Sequence, residues 1–275
     1  MAVRWLLGFT LVVAVACGKS AEDKPAPATT PRLISLTPSA TEVVAALGSA
    51  QFLVGVDEYS EFPAEVKALP KVGSFTTPNL EEIVRLSPTL VIVDDIHATA
   101  AGALHDAGIR TVECKMHTLP DVKSALRTVG EKIGKAAEAD AVVAKIEAAV
   151  DAANAKRPAK RPRVLIIIDR EAGGLGNLIA AGTGTYIDEL LAVVGGANVL
   201  AGAAVKYPKI SMEEVLRAQP EVILDLSYAA RGDKGLEPWK DVKARTVTLQ
   251  EPFLIAPSPR VDAALAVLTA ALAQR

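Results

Sequence analysis

The segment NLEEIVRLSPTLVIV at 79–93 returns at 211–225 as SMEEVLRAQPEVILD, aligned without a gap. Each copy sets a capping residue, Asn79 or Ser211, before a Glu-Glu pair, an apolar helix-type run, a proline and a β-type run. A short polar side chain at a helix start accepts from the backbone two or three residues on. Asn79 and Ser211 therefore mark helix starts, and Glu82 and Glu214 are expected to reach back as capping-box partners. A helix-type stretch ending in glycine precedes each copy, at 41–48 and 188–195. Such a chain is constrained to two similar halves built from strand-and-helix units.

The rest of the sequence follows the same grammar. Strand-type runs at 33–36, 52–56, 90–93 and 111–114 alternate with helix-type runs at 41–47, 80–86 and 99–107. After residue 163, strands are expected at 164–168, 222–226 and 245–249, and helices at 186–194, 212–218 and 261–273. Alternation of this kind implies mostly parallel sheets covered by helices. Between the halves, Ala139, Val142, Val143, Ile146, Val150 and Ala153 share one face of a stretch, 136–155, that holds no glycine or proline. Twenty residues at 1.5 Å rise make a rod of about 30 Å, and Pro158 and Pro162 stop it. The expected fold class is α/β, with two similar lobes of mostly parallel sheets bridged by one long α-helix. Its segments are a signal peptide at 1–16, a tether at 17–31, an N-terminal lobe at 32–134, a linker helix at 135–158 and a C-terminal lobe at 159–275.

The N-terminus reads as an export signal: Arg4, an apolar run at 5–16, then Cys17 and a polar stretch. The apolar run is shorter than the roughly 20 residues needed to span a bilayer. Ala14 and Ala16 form an A-x-A cleavage site, while Cys17 followed by Gly18 fits the lipidated first residue of a bacterial lipoprotein. Both readings stay open, and both send the chain to the periplasm, the second as a membrane-anchored lipoprotein. Residues 20–31, with Pro25, Pro27 and Pro31, suit an extended tether. Cys114 ends an apolar run and is expected to be a buried, inert thiol.

A formal net charge of -2 gives no basic field, so nucleic acid is excluded as a partner. The sequence carries no G-x-S-x-G elbow, metal-hydrolase motif or Cys-His pairing, so an exported enzyme is the minor alternative. The GGLG at 173–176 and GTGT at 182–185 match no phosphate loop and read as turns and caps.

Ligands of parallel sheets collect beyond the carboxyl ends of the strands, so the loops following 56, 72, 93, 114, 168, 226 and 249 are the ones to inspect. Five of the nine aromatics beyond the signal segment fall in or near them: Tyr59, Phe75, Tyr228, Trp239 and Phe253. Together they suggest a cleft lined with flat faces for a large, partly apolar ligand. Thr76, Thr77, Asp94, Asp95 and His97 are polar candidates in the same loops, and Arg170 and Glu171 are expected to pair with each other or anchor the linker helix. With His97, His105 and His117 the only histidines, no dedicated metal site and no resident cofactor are expected. His105 falls in a helix and reads as solvated. His97 and His117 follow strands aimed at the cleft, where either could serve as an axial ligand to iron or cobalt.

RLISLTPSATE at 32–42, GVDEYSEFP at 55–63 and VGSFTTPNLE at 72–81 resemble the helical-backbone periplasmic receptors for cobalamin, haem and ferric siderophores. The similarity continues through ISMEEV at 210–215, Gln219-Pro220 and SPR at 258–260, and so covers essentially all of the mature chain. The resemblance implies two α/β lobes on one long helix, slight closure on binding, and delivery of the ligand to the permease subunits of an ABC importer. In cobalamin-binding members an aromatic stands where this chain has Tyr59 and a tryptophan where it has Phe75, which implies that both flank the corrin. Glu81 and Glu213 match the glutamates with which the family docks onto arginines of its transporter. Arg260 matches a family Ser-Pro-Arg and is expected to be structural. Phe75 in place of tryptophan, and Asp94-Asp95-Ile-His97, depart from the pattern where ligand choice is made. Cobalamin or a related corrinoid is the implied ligand, with a ferric siderophore or haem as alternatives.

Overall fold

The structure, a computed structural model, describes residues 30–231 and 236–273. The expected signal peptide, Cys17 and all but the end of the tether lie outside the described residues. The N-terminal lobe runs β1 (Leu33–Ser35), α1 (Pro38–Ala46), β2 (Leu53–Val56), α2 (Leu80–Arg85), β3 (Leu90–Val93), α3 (Ala98–Asp106) and β4 (Thr111–Glu113). Its four strands lie in the order β2-β1-β3-β4, all parallel. Thr37 starts α1 by accepting from the Ala40 N–H at 3.0 Å, and Pro38 sits in the first turn, where a missing N–H does no harm.

Two helices cross to the second lobe, α4 (Leu119–Lys132) and α5 (Ala136–Ala155). Then follow β5 (Arg163–Asp169), β6 (Leu178–Ala180), α6 (Tyr186–Val193), β7 (Ala197–Asn198), β8 (Lys209–Ile210), α7 (Met212–Ala218), β9 (Val222–Asp225), β10 (Arg245–Thr248) and α8 (Val261–Ala273). The second sheet has the order β10-β9-β5-β6-β8, with β7 also on β5. Its β10, β9 and β5 are parallel, but β6 runs antiparallel to β5 and β8 to β6. The expectation of mostly parallel sheets therefore holds fully for the first lobe, while the second carries an antiparallel edge. The long helix was expected, whereas α4 was not. Its signals are Thr118, which caps Asp121, and the buried stripe Val122, Ala125, Leu126 and Val129.

The repeat is visible in three dimensions. The segments α2-β3 and α7-β9 match, and the residues before their prolines, Ser87 and Gln219, both adopt a left-handed conformation, with φ of 47° and 45°. That conformation disfavours any side chain with a Cβ, so the same turn out of the helix is imposed twice. The caps differ. Ser211 and Glu214 form the full reciprocal box, but Glu82 does not reach back; it pairs with Arg85 Nε at 2.8 Å while Asn79 alone caps the Glu82 N–H.

Side chains alternate across each strand, and both faces are buried, which explains the near-continuous apolar runs in the sequence. Ile34 and Val91 look outward to Ile83 and Leu104 of α2 and α3. Leu165 and Ile223 of the second sheet look outward to Val215 and Trp239. The opposite faces, with Leu33 and Ile92 from one sheet and Ile166 and Leu224 from the other, belong to a single apolar cluster that runs through α1, α4, α5, α6 and α8. The two lobes thus share one unbroken core rather than meeting only through a connecting rod. Within it, α5 buries Ala139, Val143 and Ile146, three successive positions of one face.

Candidate functional site

Four loops at the carboxyl ends of the first sheet are tied into one rim. After β2, Asp57 accepts from the Tyr59 N–H at 2.9 Å and from the Ser60 hydroxyl, and Ser60 also meets the Thr41 hydroxyl at 2.7 Å. Burial raises the Asp57 carboxyl above its ordinary range, against the Ser60 and Tyr59 bonds that lower it. This buried polar knot holds Tyr59 outward, 63% exposed. The Glu58 N–H donates to the Gly73 carbonyl at 3.0 Å, which joins the Tyr59 loop to the one bearing Phe75. Gly73 has φ of 99°, and a Cβ there would stand 2.5 Å from the Thr77 carbonyl oxygen, so this tight turn requires glycine. The turn presents Phe75, 37% exposed, with Thr76 and Thr77 exposed beside it.

His97, expected to contact ligand, is instead 3% exposed and fully engaged. Its Nδ1 accepts from the Asp94 N–H at 3.0 Å, which leaves the proton on Nε2, and Nε2 donates to the Phe75 carbonyl at 2.7 Å. Both nitrogens are spent, so His97 supplies neither a ligand contact nor an axial nitrogen; it fixes Phe75, whose ring it meets edge-on at 5.9 Å. His117 is half-buried, and its Nε2 donates to Asp95 Oδ1 at 2.9 Å. His105 is exposed on α3, as expected. Burial pushes the Cys114 thiol up to about 12, in keeping with an inert cysteine.

Asp94 and Asp95 divide one proton unequally. Burial, reinforced by the neighbouring Asp95 carboxyl, holds Asp94 up at about 6, whereas the bonds from Asp94 and then His117 pull Asp95 down to about 2. Unfolded, both titrate near 3.8. Between about pH 4 and 6 the folded protein therefore binds more protons than the unfolded chain, so the pair's contribution to stability falls as pH rises through that window. The stability difference between wild type and Asp94→Asn, from urea titrations, is expected to drop by the order of 1–3 kcal/mol from pH 4 to 7. A difference that stays level across the window would refute the assignment.

In the second lobe, Asp225 ends β9 and gathers four donors. Arg170 Nε lies at 2.7 Å, Trp239 Nε1 at 2.8 Å, the Ser227 N–H at 3.1 Å and its hydroxyl at 2.6 Å. Arg170 meets Glu171 through the backbone: its Nη1 donates to the Glu171 carbonyl at 3.4 Å and to the Gly174 carbonyl at 3.0 Å, so it fastens the 170–176 loop. Trp239, expected to face ligand, is 2% exposed and packs under the sheet. It is a core residue whose indole N–H answers a buried carboxylate. Tyr228, three residues beyond Asp225, is 74% exposed with the Arg231 guanidinium 4.5 Å above its ring.

Phe253 is partly buried against the shared core, and its ring carries the Arg260 guanidinium at 4.5 Å, while Phe62 lies on that guanidinium at 4.0 Å. Arg260 is structural, as expected: it binds Glu42 of α1 through both guanidinium arms, Nε at 2.8 Å, and the Ser258 hydroxyl adds a third contact. This clamp crosses the seam between the lobes, as does the Leu119 N–H to Glu189 Oε2 at 2.6 Å. A cavity of about 400 Å³ along the seam is lined by Ala46, Phe62, Ile146 and Arg260 but by none of Tyr59, Phe75 and Tyr228. Four of its five charged residues are paired, Glu42 with Arg260 and Lys145 with Asp262 at 2.8 Å. Glu81 and Glu213 are both exposed in the first turns of α2 and α7, and Glu213 pairs only with the exposed Arg217, at 2.7 Å.

Of the residues read from the sequence, then, Tyr59, Phe75, Thr76, Thr77 and Tyr228 stand exposed at strand ends. His97 and Trp239 are supports behind them. The positioning residues Asp57, Ser60 and Asp225 were missed; the signal for each is a small polar or acidic residue at or just beyond the end of an apolar strand, where burial without a partner would be costly.

The sequence model of the family described as periplasmic binding protein matches residues 33–237. The chain belongs to the periplasmic binding protein family. Among its relatives, a vitamin B12-binding protein of Salmonella typhimurium (strain LT2) is 29% identical over 250 residues, 89% of this chain and 91% of the relative. Among solved structures, the periplasmic haem-binding protein RhuT from Roseiflexus sp. RS-1 in apo form is 30% identical, with a TM-score of 0.75 over 88% of this chain and 98% of that one. The periplasmic vitamin B12-binding protein BtuF of Vibrio cholerae is 25% identical, with a TM-score of 0.70 over 88% and 96%. The two-lobed fold is thus that of the periplasmic binding proteins, and the family consists of binding proteins, not enzymes. Among the described residues no helix is long and apolar enough to cross a membrane.

Proposed function

We propose that this periplasmic binding protein is the substrate-binding component of an ABC importer and captures cobalamin or a related corrinoid between its lobes. The observation that carries the reading is the 29% identity to a vitamin B12-binding protein along nearly the whole chain, joined to rings held outward at Tyr59, Phe75 and Tyr228. Flat, partly apolar faces on rigid loops suit a macrocycle. Haem is the second reading, favoured by the 30% identity to a haem-binding protein. With His97 committed to its own loop, His117 is the histidine left to bind iron. We further propose that Cys17 anchors the chain as a lipoprotein and that Glu81 and Glu213 dock on the permease subunits.

Calorimetry against cobalamin, cobinamide, haemin and a ferric siderophore distinguishes the ligands. One-to-one binding of a corrinoid is expected, and a haemin Soret band lost on His117→Ala would overturn that choice in favour of haem. Phe75→Ala and Tyr59→Ala are each expected to weaken corrinoid binding by about 1–3 kcal/mol, the range measured for stacking of flat rings on aromatics. Unchanged affinity in both variants would place the ligand elsewhere.

A further inference from the structure

At the carboxyl ends of β3 and β4, Asp94, Asp95 and His117 bring one ligand atom each within 4.8 Å of the others. His117 Nε2 lies 2.9 Å from Asp95 Oδ1 and 3.4 Å from Asp94 Oδ1. Asp94 carries the decisive feature. Its side chain is 4% exposed, and Oδ1 is buried with no hydrogen-bond partner, although it faces an imidazole nitrogen and stands beside a second carboxylate. Nearly all buried polar atoms in folded proteins find a partner, and a carboxylate oxygen that faces an imidazole nitrogen and a second carboxylate without a hydrogen bond of its own is placed to receive a positive group.

We propose that Asp94 Oδ1, Asp95 Oδ1 and His117 Nε2 form a binding site for one divalent first-row transition cation of the zinc class. A tetrahedral ion with nitrogen and oxygen ligands about 2.0–2.2 Å away holds its donor atoms about 3.3–3.6 Å apart. The 3.4 Å edge from His117 to Asp94 already has that length, and the 2.9 Å edge to Asp95 needs to open by a few tenths of an ångström. Two carboxylates and one neutral imidazole balance a double positive charge, and the mixture of oxygen and nitrogen suits zinc or cobalt over magnesium or calcium. Lys115 does not fill the role: its Nζ approaches Asp95 Oδ2 at 3.5 Å, away from the oxygen turned to His117, and its side chain is largely exposed. Asp95 and His117 are each about one-third exposed, so the ion reaches the site from solvent and keeps a position open to water or an exogenous donor.

The test uses the full chain, stripped with a chelator and free of any macrocyclic ligand, titrated with cobalt(II) and then zinc(II). One equivalent of cobalt is expected to give visible d–d bands that zinc abolishes. His117→Ala and Asp95→Asn, both at partly exposed positions, should each weaken cobalt binding at least about tenfold with unchanged circular dichroism. His105→Ala, on the exposed face of α3, should leave it unchanged. Absence of d–d bands with cobalt in large excess, or bands that survive His117→Ala, would overturn the proposal and leave the three side chains as a hydrogen-bonded cluster.

Discussion

Asp225→Ala is expected to remove about 3–5 kcal/mol of folding stability, read as a fall in the urea midpoint with little change in slope. The side chains of Asp225 and Arg170 are both 0% exposed, and the carboxylate also receives Trp239 and Ser227. Alanine takes the Asp225 carboxylate away from a buried guanidinium and the acceptor away from the Trp239 indole N–H, and each loss is costly in a low-dielectric interior. Asp225→Asn retains one acceptor oxygen and should cost less. Replacing Arg170 and Asp225 together by apolar residues of similar volume should recover much of the loss, since the penalty arises from breaking a buried pair rather than from lacking one. An alanine variant as stable as wild type would show that this network is not closed in solution.

The largest functional effect is expected from Glu81→Arg combined with Glu213→Arg, which should leave ligand affinity intact and abolish transport in vesicles reconstituted with the importer. Both positions are exposed, and among the described residues the bond lost is the surface pair of Glu213 with Arg217, a type worth about 0–1 kcal/mol. The helix-dipole contribution of an acidic residue in the first turn adds about 0.3–1 kcal/mol at each site. The fold therefore tolerates the change. The repeat also sets exposed Val84 and Leu216, with Arg85 and Arg217, at matching positions of α2 and α7, so each lobe presents the same small surface. Reversed charges on both surfaces would confront the arginines of a two-sided partner with like charge. Full transport by the double variant would refute the docking assignment.

Periodicity and caps carried most of the fold. The helices α7 and α8 and the strand β3 fall at the residues expected, because Ser211 and Pro88 punctuate apolar runs of unmistakable period. The short strands β6, β7 and β8 left no such trace: two or three residues bury too little side chain to impose an alternation. Helix α4 is signalled by its Thr118 cap and buried stripe, but Pro120 and Gly130 within it weaken the helical pattern that α5, free of both residue types, carries. At the site, exposed rings are legible as aromatics in strand-end loops, but burial is not. Trp239 and His97 are ring-bearing residues in loops, as Tyr228 and Phe75 are, and the carboxylate of Asp225 and the carbonyl of Phe75, distant in sequence, decide which ring turns inward.

The unbroken core between the lobes has a consequence for how long a captured molecule stays. Swinging the lobes apart would expose apolar surface at about 25 cal/mol per Å², so uncovering about 200 Å² costs about 5 kcal/mol. Spontaneous gaping is then rare, and a cleft already shaped for its occupant spends little on ordering itself at capture. On the proposed reading, residence time is then expected to follow contacts within the cleft rather than the rate at which the lobes part. A partner that gripped both α2 and α7, two short helices of one repeat that stand on opposite lobes like a pair of handles, would apply leverage across the seam that the pair of Glu42 and Arg260 bridges.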